Sequence, residues 1–570
     1  MARVSPTADV VKRVLPVVTA LLLTWGGTAS ALPQPFLMPF PAGETWYICQ
    51  GYRGVSHGSG YSLDLSTYVA RSGTQGCDPT YASAASGRTV TSPGSGVVRY
   101  VGADYLCIDL DQGGSTELGH MTRSVGTGAR VSAGQTIGTV NAPNSTNGGY
   151  AHIHIEVHSQ HGCASDVPFD DAYGARFDCG PDLPAGQDHT GKSLKRCVAG
   201  DNSAGGDKLK LNTDGYADIF RYDPVNGRVI VTNMTSLTGV SNKYDSGNGA
   251  WATHWQNHFA DLDGDGDKDV FRYSGYGRVV VTRFNSSVSG LISPSAYDGS
   301  GWGGSNRKFA FGKIEGKAYE NVVSYDPASG DLDYYRFTNT TASTWSFSSM
   351  SWSVGAGWNI YTADMNGDGD DEVVRYQPST GRLVIENEWT RTEVFDSADI
   401  GTSWGLNRVL SFGNLNGTGA EELISYNPSS GDFALYTFNP STTPWGWDDK
   451  HRANLGAGWT LMTGDLNGGA DELFRYQPST GRVIVEQFSA DLMSRYERYD
   501  SSGITSWGAN RENSLGDLNG DGIDEVFRYE PGVGHVSITK FTNTTSATWG
   551  IGNTYFDQPG WGAYWDIFVH

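Results

Sequence analysis

Seven times in the later part of this chain, about fifty residues apart, one pattern returns: an apolar strand, a turn and a second apolar strand. The copies are ADIFRYDPVNGRVIV (217–231), KDVFRYSGYGRVVV (268–281), ENVVSYDPASGDLDY (320–334), DEVVRYQPSTGRLVI (371–385), EELISYNPSSGDFAL (421–435), DELFRYQPSTGRVIV (471–485) and DEVFRYEPGVGHVSI (524–538). Most of the turns read Pro-x-x-Gly. Proline sets φ at the turn entry and glycine accepts positive φ at its exit, so each copy reads as a hairpin.

An all-β period of this length is that of propeller blades, and it predicts a seven-bladed β-propeller over residues 208–570. Most blades open on a Gly-Trp or Ser-Trp segment, at Trp302, Trp358, Trp404, Trp459 and Trp507. The final residues, PGWGAYWDIFVH, restart that pattern at Trp561 and stop, while the first copy has no such strand just before Lys208. The C-terminal strand is therefore expected to complete the first blade and remove an open sheet edge. An open solenoid is the alternative.

A chain of 570 residues exceeds one ordinary core. With 76 Gly, 29 Tyr and 17 Trp and few helical apolar patterns, an all-β protein with many tight turns is expected throughout. The net charge of −22 argues against nucleic acid as a partner and suits a protein that binds cations. Residues 1–31 read as a secretory signal peptide: Arg3, Lys12 and Arg13, an apolar run from Val14 to Trp25, then Ala29-Ser30-Ala31, giving a mature start at Leu32 and a secreted, extracellular protein. No later segment is apolar enough for membrane insertion, and a monomer is expected. Six cysteines, Cys49, Cys77, Cys107, Cys163, Cys179 and Cys197, all lie in roughly the first third, as disulfides of an exported domain would. Cys163 with Cys179 is the favoured pair because they flank one short loop; without a close CxxC, a thiolate zinc site is disfavoured. The polar, Gly-rich stretch around 185–207 divides a domain at 32–198 from the repeats, with 199–207 as linker.

Between the strands of several copies lies an acidic loop. DLDGDGDKD places Asp261, Asp263, Asp265 and Asp269 around glycines; DMNGDGDDE places Asp364, Asn366, Asp368 and Glu372; DLNGDGIDE places Asp517, Asn519, Asp521 and Glu525. Alternating oxygen ligands around a sharp glycine turn are what Ca²⁺ requires. These repeats resemble the calcium-binding FG-GAP or VCBS propeller repeats. Lys210 and Lys313 replace the first acid in copies one and three, copy five has Asn414 and Thr418, and copy six is one residue short. Calcium is accordingly expected in copies two, four and seven.

The segment GGYAHIHIEV (148–157) carries the chemistry. His152 and His154 are two apart on a β-strand, so both point to one face while Ile153 and Ile155 point to the other. Upstream stand SHGSGYSLDLS, with His57 and Asp64, and GSTELGHMTRSV, with His120. The order His-x6-Asp, Gly-His, His-x-His, with SPGSGVV (92–98) and VSAGQTIGTV (131–140), resembles the M23 zinc endopeptidases, of lysostaphin, LytM or β-lytic type. The resemblance implies an antiparallel β-sheet peptidase domain with zinc ligands His57, Asp64 and His154 and catalytic histidines His120 and His152. Zinc-activated water would attack a peptide carbonyl. No HExxH glutamate is present, so a histidine is the natural base. Glu156 shares the face of His152 and His154, where it is either solvated, the favoured reading, or a carboxylate that orients an imidazole.

The expected protein is thus a secreted zinc endopeptidase of bacterial peptidoglycan, with a propeller that attaches it to surface glycans. The alternative is a propeller lectin or adhesin whose N-terminal domain is a non-catalytic scaffold.

Overall fold

The structure, a computed structural model, describes residues 36–569 apart from 68–81, 170–176, 196–208 and shorter stretches between strands. The expected signal peptide, the linker and Cys77, Cys179 and Cys197 lie outside the described residues. The described residues form strands and turns, with no helix among them. None therefore is long and apolar enough to cross a membrane as a helix.

The N-terminal region builds β1 (Thr45–Gln50), β2 (Leu63–Ser66), β3 (Thr89–Thr91), β4 (Gly96–Val101), β5 (Tyr105–Leu110), β6 (Ser115–Gly119), β7 (Met121–Arg123), β8 (Arg130–Val131), β9 (Thr136–Val140), β10 (Ile153–Gln160), β11 (Ala164–Val167) and β12 (Ser193–Lys195). The main sheet runs β12-β1-β2-β10-β6-β5-β4-β8, with β11 also paired to β10, and β3-β9-β7 form a smaller sheet. Every pairing is antiparallel. The alternation in β10 sends Ile153, Ile155 and Val157 into a core with Leu63, Leu65, Leu106, Ile108 and Leu118. Their strand neighbours His154 and Glu156 are left on the opposite face, where they are half-buried.

Cys163 pairs with Cys107 rather than Cys179, with Cα atoms 6.0 Å apart. Strand order is the reason. The turn after β10 returns along β6, where Cys163 N–H donates to Ser115 Oγ at 2.8 Å, and β5, carrying Cys107, is the next strand over. Cys49 is also disulfide-bonded.

Residues 209–569 form seven four-stranded antiparallel sheets and one small two-stranded hairpin. In six of them the strands follow chain order outward; in the first, Asp218–Asp223, Arg228–Ser236 and Gly239–Asp245 are joined by the C-terminal strand Asp566–Phe568. Its register is Phe220 opposite Phe568 and Tyr222 opposite Asp566. At Gly431, with φ of 78°, a Cβ would stand 2.4 Å from the Gly456 backbone. Only glycine allows the two chains to approach so closely there.

Seven apolar clusters lie between successive sheets. One of them packs Ile219 and Met234 of the first sheet against Phe527, Val536 and Ile538 of the seventh. The loops between strands are joined in the same cyclic order by main-chain hydrogen bonds. Lys268 donates to Lys210, Glu320 to Asp261, Asp371 to Lys313, Glu421 to Asp364, Asp471 to Asn414, Asp524 to Asp465, and Ala217 to Asp517, at 2.6 to 3.0 Å. The blade-opening tryptophans are buried. Several lie under arginines of the same sheet face, such as Arg375 over Trp358 and Arg475 over Trp459, each 4.8 Å from the ring centroid. They serve packing.

Candidate metal centre

Two strands bring the first ligands together. β2 and β10 are paired so that Asp64 stands directly opposite His154. His154 Nδ1 lies 2.9 Å from Asp64 Oδ1. His57, in the turn before β2, brings its Nε2 to 3.0 Å from the same oxygen. His57, Asp64 and His154 each offer one ligand atom, and these atoms lie within 4.8 Å of one another.

The hydrogen bonds around these rings decide where the protons sit. His57 Nδ1 faces the Gly51 carbonyl at 2.8 Å, which can only accept, so Nδ1 carries the proton and Nε2 a lone pair. His154 Nε2 faces Glu156 Oε1 at 3.1 Å; a neutral ring that donates there would turn its Nδ1 lone pair toward Asp64, as a metal in place of the Nδ1 proton requires. Two imidazole lone pairs and a carboxylate oxygen thus converge, a set unfavourable by itself and well matched to a divalent cation such as zinc. Titration expresses the same demand for positive charge. Burial opposes ionisation of Asp64, but His152, His154 and His57 hold its carboxyl far below the usual range. Burial likewise disfavours charge on His154, yet hydrogen bonds from its ring to Asp64 and Glu156 push it up to about 10.

Glu156 is therefore not simply solvated. It accepts from His154 and its other oxygen lies 3.4 Å from Nε2 of the buried His158. Only its sequence position, two residues beyond His154, hinted at this contact.

His120 and His152 sit beside the ligands, with ring centroids 4.6 Å apart. His152 donates from Nδ1 to the Tyr150 carbonyl at 3.0 Å, which leaves Nε2 as a lone pair 3.5 Å from Asp64 Oδ1. Burial, and the neighbouring His120 and His154, lower its pKa, so it stays a neutral base at neutral pH. His120 follows β6 with φ of 62°, a left-handed conformation uncommon outside glycine. Its Nδ1 lies 2.7 Å from Asp104 Oδ2. Tyr105 packs its ring 5.7 Å from His120 and 6.2 Å from His154. It reaches them across Gly119, where a Cβ would stand 2.6 Å from the Tyr105 ring. Neither Asp104 nor Tyr105 stands in a motif, and nothing in the local sequence marks them.

The acidic loops are organised first by their own backbone. Asp364 accepts from Gly367 and Gly369 N–H at 2.7 and 2.9 Å, and Asp517 from Asp521 and Gly522 at 3.0 and 2.9 Å. Asp269, Glu372 and Glu525 accept from the N–H of Leu262, Met365 and Leu518 at 3.0, 2.9 and 2.9 Å. Asn366 and Asn519 donate their side-chain amides to Glu372 and Glu525, at 2.8 and 2.6 Å. Asp368 Oδ1 accepts from Asp370 N–H at 3.0 Å. Among the described residues, Asp261, Asp263 and Asp265 gather closely enough to share an ion, without Asp269; no such grouping forms in the loops at 364–372 and 517–525. Two loops also hold a cation of the chain itself. Arg283 pairs with Asp263 at 2.9 Å, and Lys540 with Asp521 and, at 3.1 Å, with Glu525.

Residues 75–166 match the sequence profile of peptidase family M23, a span that holds His120, His152 and His154 and begins after His57 and Asp64. No curated protein matches the chain. Among solved structures, the M23 metalloprotease pseudoalterin from the deep sea is 21% identical, over 29% of this chain and 99% of its own, with a TM-score of 0.21. An Agrocybe aegerita lectin, described as recognising non-reducing terminal N-acetylglucosamine, is 14% identical over 63% of this chain and 96% of its own, with a TM-score of 0.47. The Dos1 propeller is 9% identical over 61% of this chain and 85% of its own, with a TM-score of 0.33.

Proposed function

We propose that this chain is a secreted zinc endopeptidase that cuts peptide bonds of bacterial peptidoglycan, joined to a seven-bladed, calcium-binding β-propeller that holds it on a surface or glycan. The observation that carries the peptidase reading is the convergence of His57 Nε2, Asp64 Oδ1 and His154 Nδ1 within bonding reach of one point. The M23 match over 75–166 supports the reaction class.

His57, Asp64 and His154 would hold the metal. When bound, zinc supplies Lewis acidity toward the peptide carbonyl and the attacking water. The chain supplies the proton handling. His152 is buried and neutral, so its Nε2 can take the proton of the water, and His120 is placed beside it to donate to the leaving amine. General acid and base groups of this kind contribute roughly 10²–10⁴ in rate. Asp64, held as a carboxylate, stabilises the His152 imidazolium as it forms.

The propeller reading rests on seven sheets, seven intervening clusters and a loop circuit that returns to its start. Calcium is proposed for the loop at 261–269, where Asp261, Asp263 and Asp265 converge; for the loops at 364–372 and 517–525 the proposal rests on the spacing of their oxygen ligands alone. Secretion rests on the N-terminal 31 residues and on a disulfide-bonded domain.

The test is metal content together with wall digestion. The purified chain should hold about one tightly bound zinc, as a three-ligand site predicts, and should clear a suspension of bacterial walls. His120→Ala should cut clearing to a small residual rate and keep zinc, whereas His154→Ala should lose both. A chain that binds walls or glycans but digests neither, with His120→Ala indistinguishable from it, is instead a lectin or adhesin.

A further inference from the structure

Asp104 meets His120 twice. Its carbonyl accepts the His120 main-chain N–H at 2.9 Å, and its Oδ2 lies 2.7 Å from the ring Nδ1. The other carboxylate oxygen accepts from Asn141 Nδ2 at 2.8 Å, and Asn141 N–H donates to the His120 carbonyl at 2.9 Å. The amide orientation of Asn141 is settled from its far side, where Thr122 donates to Oδ1 at 2.7 Å. Thr146 Oγ1 lies 3.0 Å from Asp104 Oδ2. Three segments far apart in sequence thus close on one half-buried carboxylate. One carries His120, and another leads through residues 141–147 toward His152.

A carboxylate can only accept from an imidazole beside it, so Asp104 places the His120 proton on Nδ1 and leaves Nε2 as the lone pair. The contacts also hold His120 in its left-handed backbone conformation, with φ of 62°. We propose that Asp104 is the positioning residue of the peptidase: it fixes the tautomer and direction of His120 and latches the 141–147 segment to it. When His120 takes up at Nε2 the proton that the adjacent His152 has taken from the water, the Asp104 charge stabilises the imidazolium; the proton is then passed to the departing amine and both histidines return to their starting forms.

The inference rests on the proposed peptidase reading, and its test separates the two. In the full chain labelled with [15N]histidine, a long-range 1H–15N spectrum identifies His120 by its loss in His120→Ala. His120 should be the Nδ1–H tautomer, and Asp104→Asn should shift it toward Nε2–H. Asp104→Asn should slow wall clearing on the order of a hundredfold with zinc content unchanged, and Asp104→Glu, which keeps the charge, should recover part of that loss. Adding Asp104→Asn to His120→Ala should cost nothing further, because both act through one ring. An Nε2–H tautomer in the unaltered protein, full activity in Asp104→Asn, or an additional loss in the double variant would overturn the assignment. If Asp104→Asn does not fold, Asp104→Glu and the spectrum of the unaltered protein decide the matter. If the unaltered chain clears no walls, the peptidase reading fails while the tautomer result stands separately.

Discussion

Asp64 and His154 are direct cross-strand partners, one on β2 and one on β10, and their facing atoms Oδ1 and Nδ1 are 2.9 Å apart. A slip of one residue in this register would turn both side chains to the other face. The sheet therefore guarantees the pair, and the His57 turn supplies the third donor. Asp64→Asn replaces the central anion by a neutral amide. It should lower zinc affinity by well over a hundredfold while the disulfide-bonded domain stays folded, as competition with a chromophoric chelator would show.

Glu156 fixes His154 from behind. Glu156→Ala leaves Nε2–H without its acceptor and frees the ring to choose the other tautomer. Loss of such a supporting carboxylate typically lowers metal affinity about 10–100-fold. Glu156→Gln, which still accepts, should fall between. The chelator competition reads both variants, and unchanged affinity in Glu156→Ala would contradict the role.

Gly119 leaves room for the Tyr105 ring beside His154. A Cβ would stand 2.6 Å from that ring and 3.2 Å from His154 Cβ. Gly119→Ala should destabilise the domain by about 1–3 kcal/mol through overpacking and reduce wall clearing by displacing Tyr105 and His154. Thermal melting and a rate assay together test this.

The strand Asp566–Phe568 and buried Val569 tie the chain end to the first sheet. Deleting residues 566–570 exposes the ladder edge of Asp218–Asp223 and opens the cluster shared with the seventh sheet. The propeller should melt at lower temperature and associate through the bare edge. Scattering and calorimetry would register both, and an unchanged melting temperature would show the strand to be dispensable.

Glu422 and Glu472 open the strands Glu422–Tyr426 and Glu472–Gln477, just after loops to which no calcium is assigned. Burial pushes Glu422 up to about 7 and Glu472 up to about 9, against an ordinary value of 4.5. The folded form thus holds protons that the unfolded chain has released. Their stabilising contribution is complete below about pH 4.5 and is lost as pH rises through these folded-state values. At fixed calcium, the melting temperature should fall between about pH 5 and pH 9, and Glu472→Gln should flatten the decline.

The repeat, its Pro-x-x-Gly turns, the acidic loops and the His-x-His strand were legible because each is a relation among neighbouring residues. Periodicity reports which side chains share a face, and a turn declares its glycine. The pairing of the C-terminal strand with the first sheet could be inferred as well, since a missing strand at one end matched a surplus strand at the other. Spacing cannot report what strand order brings together. It favoured solvent around Glu156, although the face it shares with His154 puts their polar atoms in contact. It matched Cys163 to the nearer Cys179, although the β10 turn runs back to β5. It gave Asp104 no role, because the carboxylate acquires one only where three distant segments meet. The acidic loops make the same point: their composition announces oxygen ligands, but whether backbone amides, Arg283, Lys540 or a metal ion answers those charges depends on which strands lie alongside. Local sequence determined the elements and the chemistry each can offer; only the packed sheets decided which lone pairs face one another, because hydrogen bonds and coordination are set within a few ångströms and not by distance along the chain.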